Sequence, residues 1–329
     1  MLAIDTTPLR RRRRLPALLG VAVLTAVVSG AGLFVAAQRA ASEVPRVEGV
    51  AEVLSAASSE VDNYLLVGSD SRAFGDPNTG GNEADVSGTR SDTIMVLRVD
   101  KGDGSAALLS IPRDLYVEIE GFTGRINGAY NDGAAALVTT VQTALQLPIH
   151  HYVEIDFFGF KTLVDALGGV QVCFFVPTRD LNTGLNIEVP GCYLLNGTQA
   201  LAYARSRHYE ELIDGLWKED PTSDLGRSRR QRDFVNRSLQ TALERVKSDP
   251  FSTGELVRVM GAAIAIDDEL DPIEAASSLR AAVDGGIATY SLPVVPKTIA
   301  GAAVLSLGDG AEAVLAFFRG TAPAPTSSS

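Results

Sequence analysis

The sequence predicts a mixed α/β domain in which a central mixed, largely antiparallel sheet is flanked by helices and preceded by one N-terminal transmembrane helix. Short apolar runs of strand length alternate with longer helical segments over residues 61–319. A short turn at residues 101–104 joins two of the early runs, which favours antiparallel neighbours. An uncharged run at residues 15–37 supplies the membrane segment.

The N-terminus predicts the compartment. Residues 10–14 are five consecutive arginines, and the 23 residues that follow carry no charge. A helix of about 20 apolar residues spans a bilayer, whereas the apolar core of a signal peptide has only about 7–15 residues. An uncleaved anchor is therefore favoured, although the small residues at 36–37 leave cleavage open. The positive-inside rule makes residues 1–14 a cytoplasmic tail and places the rest of the chain outside the membrane.

The charge of the chain limits its partners. The formal net charge is −11, and arginine outnumbers lysine 24 to 5. Residues 38–329 alone carry 24 basic and 39 acidic residues, a net charge of −15. This balance argues against a nucleic-acid-binding protein, which requires a basic domain. The arginine-rich stretch at residues 202–234 must therefore serve a local anion.

The order of elements follows from the apolar pattern. Residues 38–60 are predicted as a linker and residues 320–329 as a disordered tail. The predicted strands are residues 63–68, 92–100, 105–111, 170–176 and 287–294. The predicted helices are residues 128–146, 157–167, 197–203, 224–247, 251–265, 272–283 and 310–319.

The two cysteines of the chain, Cys173 and Cys192, predict one disulfide because the domain lies outside the cytoplasm. Closing the intervening loop would stabilise the fold by about 3 kcal/mol in the chain-entropy model. A pair of buried thiols is the alternative.

Charged residues gather at one predicted edge of the sheet. If the first strand is antiparallel to the second, the ends of the first and third strands meet the start of the second. Carboxylates and arginines at such an edge are suited to a divalent cation and the phosphates bound to it. Turn caps and surface ion pairs are the alternative. The residues are Asp70, Arg72, Arg90, Asp92, Arg113 and Asp114.

The arginine-rich stretch divides by spacing. Arg205 and Arg207 are two apart, so an extended chain points both the same way. Arg227 and Gln231 are four apart and share a helix face. The remaining arginines, 229, 230 and 232, are predicted to lie on the surface. Arginine forks match phosphate oxygens in pairs of hydrogen bonds.

Other features of the sequence are weaker. Arg125 and Asn127 precede a predicted helix, where Asn127 is interpreted as an N-cap or as part of an anion site. Trp217 lies between the two arginine groups and either covers the cleft, stacks on a sugar or anchors the surface. The three histidines do not have metal-ligand spacing, and nucleophile-elbow, P-loop and dinucleotide motifs are absent from the sequence.

Seven segments together resemble the LytR-CpsA-Psr family of bacterial cell-wall glycopolymer ligases, and they occur in the family's order. The resemblance covers residues 60–295. The segments are GSDSR (68–72), RSDTIMV (90–96), SIPRDLYV (110–117), GRINGAY (124–130), HHYVEIDFFGFKTLVDALGGV (150–170), LNGTQALAYARSRH (195–208) and DLGRSRRQRDF (224–234).

This resemblance implies a phosphotransferase that moves a glycan phosphate from a polyprenyl-pyrophosphate carrier onto peptidoglycan, with Mg²⁺ or Mn²⁺. It also implies a pocket for the lipid tail. The motif positions assign Asp70 and Asp92 to the metal. They assign Asp92, Arg113, Arg205 and Arg207 to catalysis, and Arg72, Arg90, Arg125, Arg227 and Gln231 to substrate binding.

The chain departs from the family pattern at three places. Arg125 stands where many members have lysine, Ala134 replaces a common glycine, and residues 209–223 are longer than expected. A hydrolase that uses water as the acceptor and a non-catalytic regulator that binds wall polymer are the alternative functions. The polymer itself, whether teichoic acid, capsule or arabinogalactan, stays open; the arginine-rich composition leans weakly towards arabinogalactan.

Overall fold

A computed structural model of the chain describes residues 42–69, 91–248, 258–259, 261–275 and 286–325. The predicted membrane span 15–37 and the site residues Asp70, Arg72 and Arg90 lie outside these ranges, and Asp92 is described through its backbone alone. Within the described ranges, no helix combines the length and the apolar character that crossing a bilayer requires.

A six-stranded mixed sheet forms the centre of the domain, as predicted. In spatial order the strands are β13 (Ala265–Ile266), β6 (His151–Ile155), β1 (Val61–Ser69), β2 (Ser91–Asp100), β3 (Ala106–Ile111) and β14 (Ile287–Ser291). Strand β1 pairs antiparallel with β2 and parallel with β6, and β3 pairs antiparallel with β2 and parallel with β14. The edge strand β13 is antiparallel to β6. Strand β6 was missed because His151 and Glu154 interrupt its apolar residues.

Helices cover both faces of this sheet because alternate residues of β1, β2 and β3 are apolar on each side. Helices α1 (Ala134–Leu145) and α5 (Ala311–Phe318) pack on one face. Helix α4 (Ser223–Ser248) places Val235 and Leu239 on the other.

A third apolar cluster lies beside the sheet. It is formed by α2 (Phe157–Ala166), α3 (Gly197–Arg205) and the hairpin of β7 (Val170–Phe174) with β10 (Gly191–Leu195). Phe234 on α4 is buried in this cluster. Helix α4 therefore joins the sheet to the third cluster.

A second sheet of four strands closes over the third cluster. Its order is β12 (Leu216–Glu219), β11 (Glu210–Ile213), β8 (Thr178–Asp180) and β9 (Leu185–Ile187), and every pair is antiparallel. The unexpectedly long segment 209–223 supplies the hairpin β11–β12. Two more hairpins, β4 (Tyr116–Ile119) with β5 (Phe122–Arg125) and β15 (Val294–Ile299) with β16 (Ala302–Leu307), lie near the C-terminal edge of β3.

The structure corrects several predicted boundaries. The predicted helix 128–146 is a 3-10 helix, Ile126–Asp132, followed by α1, and Gly133 separates the two at a φ of 102° that favours glycine. The predicted helix 251–265 ends before Ala265, which belongs to β13. The predicted disulfide between Cys173 and Cys192 is present and joins paired positions of β7 and β10.

The described part of the predicted linker, residues 42–60, packs on the domain. Val44 and Val50 are buried in the apolar clusters on opposite faces of the sheet. Arg46 donates from Nη1 to the carbonyl oxygens of Asp267 and Leu270, at 2.6 and 2.8 Å. The chain is thus attached to the domain before the first strand begins.

Candidate functional site

The strand register brings part of the predicted edge together. Gly68 pairs with Thr93, and Ser69 pairs with Ser91, so Asp92 is the extra residue of a β-bulge on β2. Bulges redirect side chains and recur beside active sites. Because Ile94 pairs with Ile111 at the end of β3, Asp92 and the segment that follows β3 lie at the same edge of the sheet.

Asp114 holds two of the predicted arginines. Its Oδ1 lies 3.2 Å from Nε of Arg125, and its Oδ2 lies 3.6 Å from Nε of Arg113. Arg125 also donates from Nη2 to the carbonyl oxygen of Ala303 at 2.8 Å. Two guanidinium groups share one carboxylate, so the cluster has a net positive charge.

The interpretation of Asn127 as an N-cap is wrong. Asn127 lies inside the 3-10 helix, and Arg125 occupies the cap position without a side-chain cap bond. The backbone N–H of Asn127 instead donates to the carbonyl oxygen of Arg113 at 3.2 Å. This bond ties the segment after β3 to the segment that carries Arg125.

Arg205 is the last residue of helix α3, and Arg207 lies in the bend that follows it, so the two do not share the extended stretch that the prediction assumed. Ser206 between them is fully buried, and its ψ of 120° extends the chain after α3. Both arginines are exposed, and the Arg205 guanidinium lies over the ring of Phe157 at 4.4 Å. Both arginine side chains are therefore exposed, on either side of a buried serine.

The buried carboxylate of Asp180 fixes this alternation, and the sequence did not reveal it. Its Oδ2 accepts from the Ser206 hydroxyl at 2.6 Å and from the His208 N–H at 3.1 Å. Its Oδ1 accepts from the N–H groups of Asn182 and Thr183. Burial alone would raise the pKa of Asp180, but these donors outweigh burial and lower the pKa. Asp180 therefore stays ionised at neutral pH.

Helix α4 presents its polar residues partly as predicted. Arg227 and Gln231 are both buried on the face that turns into the domain. The Gln231 Nε2 donates to the carbonyl oxygen of Ala204 at 3.2 Å, directly before Arg205. Gln231 therefore connects α4 to the end of α3.

The predicted surface position of Arg230 is wrong. Arg230 is buried, donates to Oδ2 of Asp220 at 3.0 Å and to the carbonyl oxygen of Ser206 at 2.6 Å, and covers the ring of Tyr209. The first turns of α4 pack into the domain, so the helix face that carries Arg230 is covered as well as the face that carries Arg227 and Gln231.

Arg232 is half-buried and bonds to the Tyr290 carbonyl and to Ser291 on β14. Burial, with Arg229 beside it, lowers the pKa of Arg232.

A cavity of about 410 Å³ lies between Asp114 and the start of α4. Asp114 lines one side of it, Thr222 and Leu225 line another, and the hairpin β15–β16 lines a third. Because Asp114 holds Arg113 and Arg125, the cavity joins that arginine pair to the first turn of α4.

A buried polar network lies behind the edge. The hydroxyls of Tyr130 and Tyr152 donate to Oε1 and Oε2 of Glu154, at 2.5 and 2.9 Å. Burial, the hydrogen bond to Glu154 and its charge raise the pKa of Tyr130. Glu154 pairs with Val67 across β6 and β1, two residues before β1 ends. The network supports the strand end from which residue 70 follows.

The carboxylates predicted for the metal are of the right type, because Mg²⁺ and Mn²⁺ prefer oxygen ligands. The described ranges contain no cluster of three or more His, Cys, Asp or Glu residues placed to hold a metal. The backbone of Asp92 lies at the bulge, and Asp70 lies outside the described ranges.

The fold and the arginine groups define a class of protein: an α/β domain with a cationic cluster at one edge of its sheet. The chain belongs to the LytR-CpsA-Psr family. The sequence model of that family, described as "LytR_cpsA_psr family", matches residues 31–312 of this chain.

Two curated relatives illustrate the family. The chain is 34% identical to the probable cell wall biosynthesis protein LcpB of Corynebacterium glutamicum over 87% of this chain and 68% of LcpB. It is 36% identical to the polyisoprenyl-teichoic acid–peptidoglycan teichoic acid transferase TagU of Halalkalibacterium halodurans. That match spans 64% of this chain and 62% of TagU, which is less than two thirds of the relative's length.

A solved structure has the same fold. The LytR-Csp2A-Psr enzyme from Actinomyces oris superposes with a TM-score of 0.70 at 27% identity. The match covers 84% of this chain and 96% of the solved one.

Proposed function

We propose that the chain transfers a glycan phosphate from a polyprenyl-pyrophosphate carrier onto peptidoglycan. The observation that carries the proposal is the exposed pair Arg205 and Arg207, which flank Ser206, a buried residue held by Asp180 and joined to helix α4 by Arg230. Two exposed guanidinium groups two residues apart suit a diphosphate, whose oxygens accept paired hydrogen bonds. The name of the relative TagU, a peptidoglycan teichoic acid transferase, supports the same reaction class.

The reaction forms one phosphodiester and breaks one phosphoanhydride. An acceptor hydroxyl oxygen attacks the glycan-side phosphorus, and the bond from this phosphorus to the bridging oxygen breaks. Polyprenyl phosphate leaves with the electron pair, and the hydroxyl proton passes to a carboxylate. Asp92 and Asp224 are the candidates for this base; both side chains lie outside the described part.

The arginines supply fixed positive charge where the transition state gains negative charge. Asp114 orients Arg113 and Arg125 through ion pairs. Arg227 and Gln231 would contact the diphosphate from helix α4. We assign Arg72 and Arg90 to the same anion by motif position. A Mg²⁺ or Mn²⁺ ion held by Asp70 and Asp92 would neutralise part of the diphosphate charge.

We also propose that residues 15–37 anchor the chain in the cell membrane, with residues 1–14 in the cytoplasm and the domain outside. The lipid-linked donor occupies the same membrane, so anchoring raises its local concentration at the arginine groups.

The test uses the full chain purified in detergent, a labelled lipid-linked donor and purified peptidoglycan. We expect label on peptidoglycan, and Arg205→Ala or Arg207→Ala should lower turnover at least about a hundredfold, as for loss of a preorganised charge contact. Arg229→Ala is the matched control, because Arg229 is an exposed arginine of the neighbouring α4. Equal release of free glycan phosphate with and without peptidoglycan would instead identify a hydrolase. Unchanged turnover in both arginine variants would favour a non-catalytic role.

A further inference from the structure

One face of the four-stranded sheet carries half-exposed and exposed side chains in the described part of the chain. Its inward residues, such as Thr178, Asp180 and Leu185, are buried against the third cluster. The strand register places the intervening residues on the opposite side. We call this side the outer face; it is formed by Trp217, Arg179, Glu210, Glu219 and Asn186, together with His208, which bonds to Glu219.

The single tryptophan of the chain, Trp217, contacts an ion-paired arginine on the outer face. The Arg179 guanidinium lies 4.0 Å from the centre of the Trp217 ring. The Arg179 Nε donates to Oε2 of Glu210 at 2.7 Å, and this bond orients the guanidinium group. An aromatic ring whose orientation is set in advance loses little conformational entropy when a ligand binds.

Hydrogen-bonding groups surround the indole. His208 Nδ1 and Glu219 Oε1 are 2.7 Å apart, and both side chains are more than half exposed. Asn186 is exposed on the far side of Arg179. These groups both donate to and accept from hydroxyl and amide groups. With two carboxylates and one guanidinium, the outer face carries a net negative charge that disfavours polyanions and anionic membrane surfaces.

We propose that the outer face binds the acceptor as an uncharged glycan strand of N-acetylated amino sugars. A pyranose ring offers an apolar face to an indole, and hydroxyl and acetamido groups at its rim to the surrounding polar side chains. His208 follows Arg207 directly, and β12 leads through Asp220 back to α4. A strand on the outer face is therefore delivered beside the arginines. This placement rests on the proposed function.

Direct binding tests the inference without the donor. The full chain in detergent is sedimented with purified peptidoglycan sacculi that have been stripped of anionic polymers. We expect Trp217→Ala to weaken binding about tenfold or more, the size typical of an aromatic anchor. Leu216→Ala is the matched control, because Leu216 is exposed on the same hairpin but belongs to the opposite side. Glu219→Ala should weaken binding too. Because Glu219 is exposed, this variant tests the outer face while the indole of Trp217 stays in place.

Turnover separates this inference from the proposed function. Trp217→Ala should raise the acceptor KM about tenfold and keep kcat, whereas Arg205→Ala should lower kcat and still sediment with sacculi. If the wild-type chain shows no transfer but its sedimentation depends on Trp217, the proposed function fails and the inference stands. Soluble chito-oligosaccharides should compete with sacculi. The inference is overturned if the wild type does not sediment with sacculi. It is also overturned if wild type, Trp217→Ala and Glu219→Ala sediment equally, or if anionic vesicles compete and sugars do not.

Discussion

Replacing Asp180 by alanine removes the acceptor of four hydrogen bonds at a fully buried position. Each bond to a charged acceptor contributes about 1.5–3 kcal/mol when short and well aligned. Two of the four, from Ser206 at 2.6 Å and from Asn182 at 2.8 Å, meet that standard. We expect Asp180→Ala to lower the free energy of unfolding by about 3–5 kcal/mol, as for breaking a buried charged network.

Asparagine at position 180 removes the charge of the side chain and keeps its size. Its oxygen can still accept from Asn182 and Thr183, but its NH₂ group faces the His208 N–H, a second donor. We expect a loss of about 1–3 kcal/mol in Asp180→Asn, the cost of a buried donor left without an acceptor. Because Ser206 orients Arg205 and Arg207, turnover should fall as well.

The sign of the pH dependence is fixed by the lowered pKa of Asp180. The stabilisation is fully present above the unfolded pKa of about 3.9 and is lost as the pH falls through the lower folded pKa. The stability difference between wild type and Asp180→Asn should therefore shrink below about pH 4.

Urea unfolding followed by circular dichroism measures these differences, at pH 7 and at acid pH. Asp214→Asn is the matched control, because that carboxylate is 88% exposed at the tip of the β11–β12 hairpin. An Asp180→Asn variant as stable and as active as the control at pH 7 would refute the role given to Asp180.

Three other outcomes follow from the structure. Glu154→Ala leaves two buried tyrosine hydroxyls without their acceptor and should lower the free energy of unfolding in urea by about 2–4 kcal/mol. Glu118→Ala, at an exposed position, should leave it unchanged, and equal unfolding midpoints of the two variants would contradict the network. Reducing agent should destabilise the chain by about 3 kcal/mol, and a variant with serine at both positions 173 and 192 should not respond to it. EDTA should abolish transfer, and Mg²⁺ or Mn²⁺ should restore it; full transfer in EDTA would remove the metal from the proposal.

The sequence predicted the parts of the fold that depend on local pattern. Continuous apolar runs identified β1, β2 and β3, and the turn at 101–104 made β2 and β3 antiparallel. Strand β6 was missed because His151 and Glu154 interrupt its apolar residues, and its place beside β1 is a long-range parallel pairing that no local signal encodes. The strands of the second sheet were missed because each has only three or four residues.

The site shows the same division between local and distant information. Spacing of four placed Arg227 and Gln231 together on one buried helix face. Spacing of two did not describe Arg205 and Arg207, because the helix before them continues through Arg205. Spacing could not place Arg230, whose partners Asp220 and Ser206 come from other elements. Nor could it identify Asp180, which lies 26 residues before the serine that it holds.

The β11–β12 hairpin is anchored at its base and free at its tip. The Asp220 N–H donates to the Tyr209 carbonyl at 2.7 Å, and Asp180 holds the His208 N–H. Beyond these bonds the two strands can lengthen or shorten in paired steps without displacing Arg207 or α4. The hairpin is thus a separable module: we expect a different loop grafted between residues 209 and 220 to alter how the acceptor binds while the phosphate chemistry stays intact.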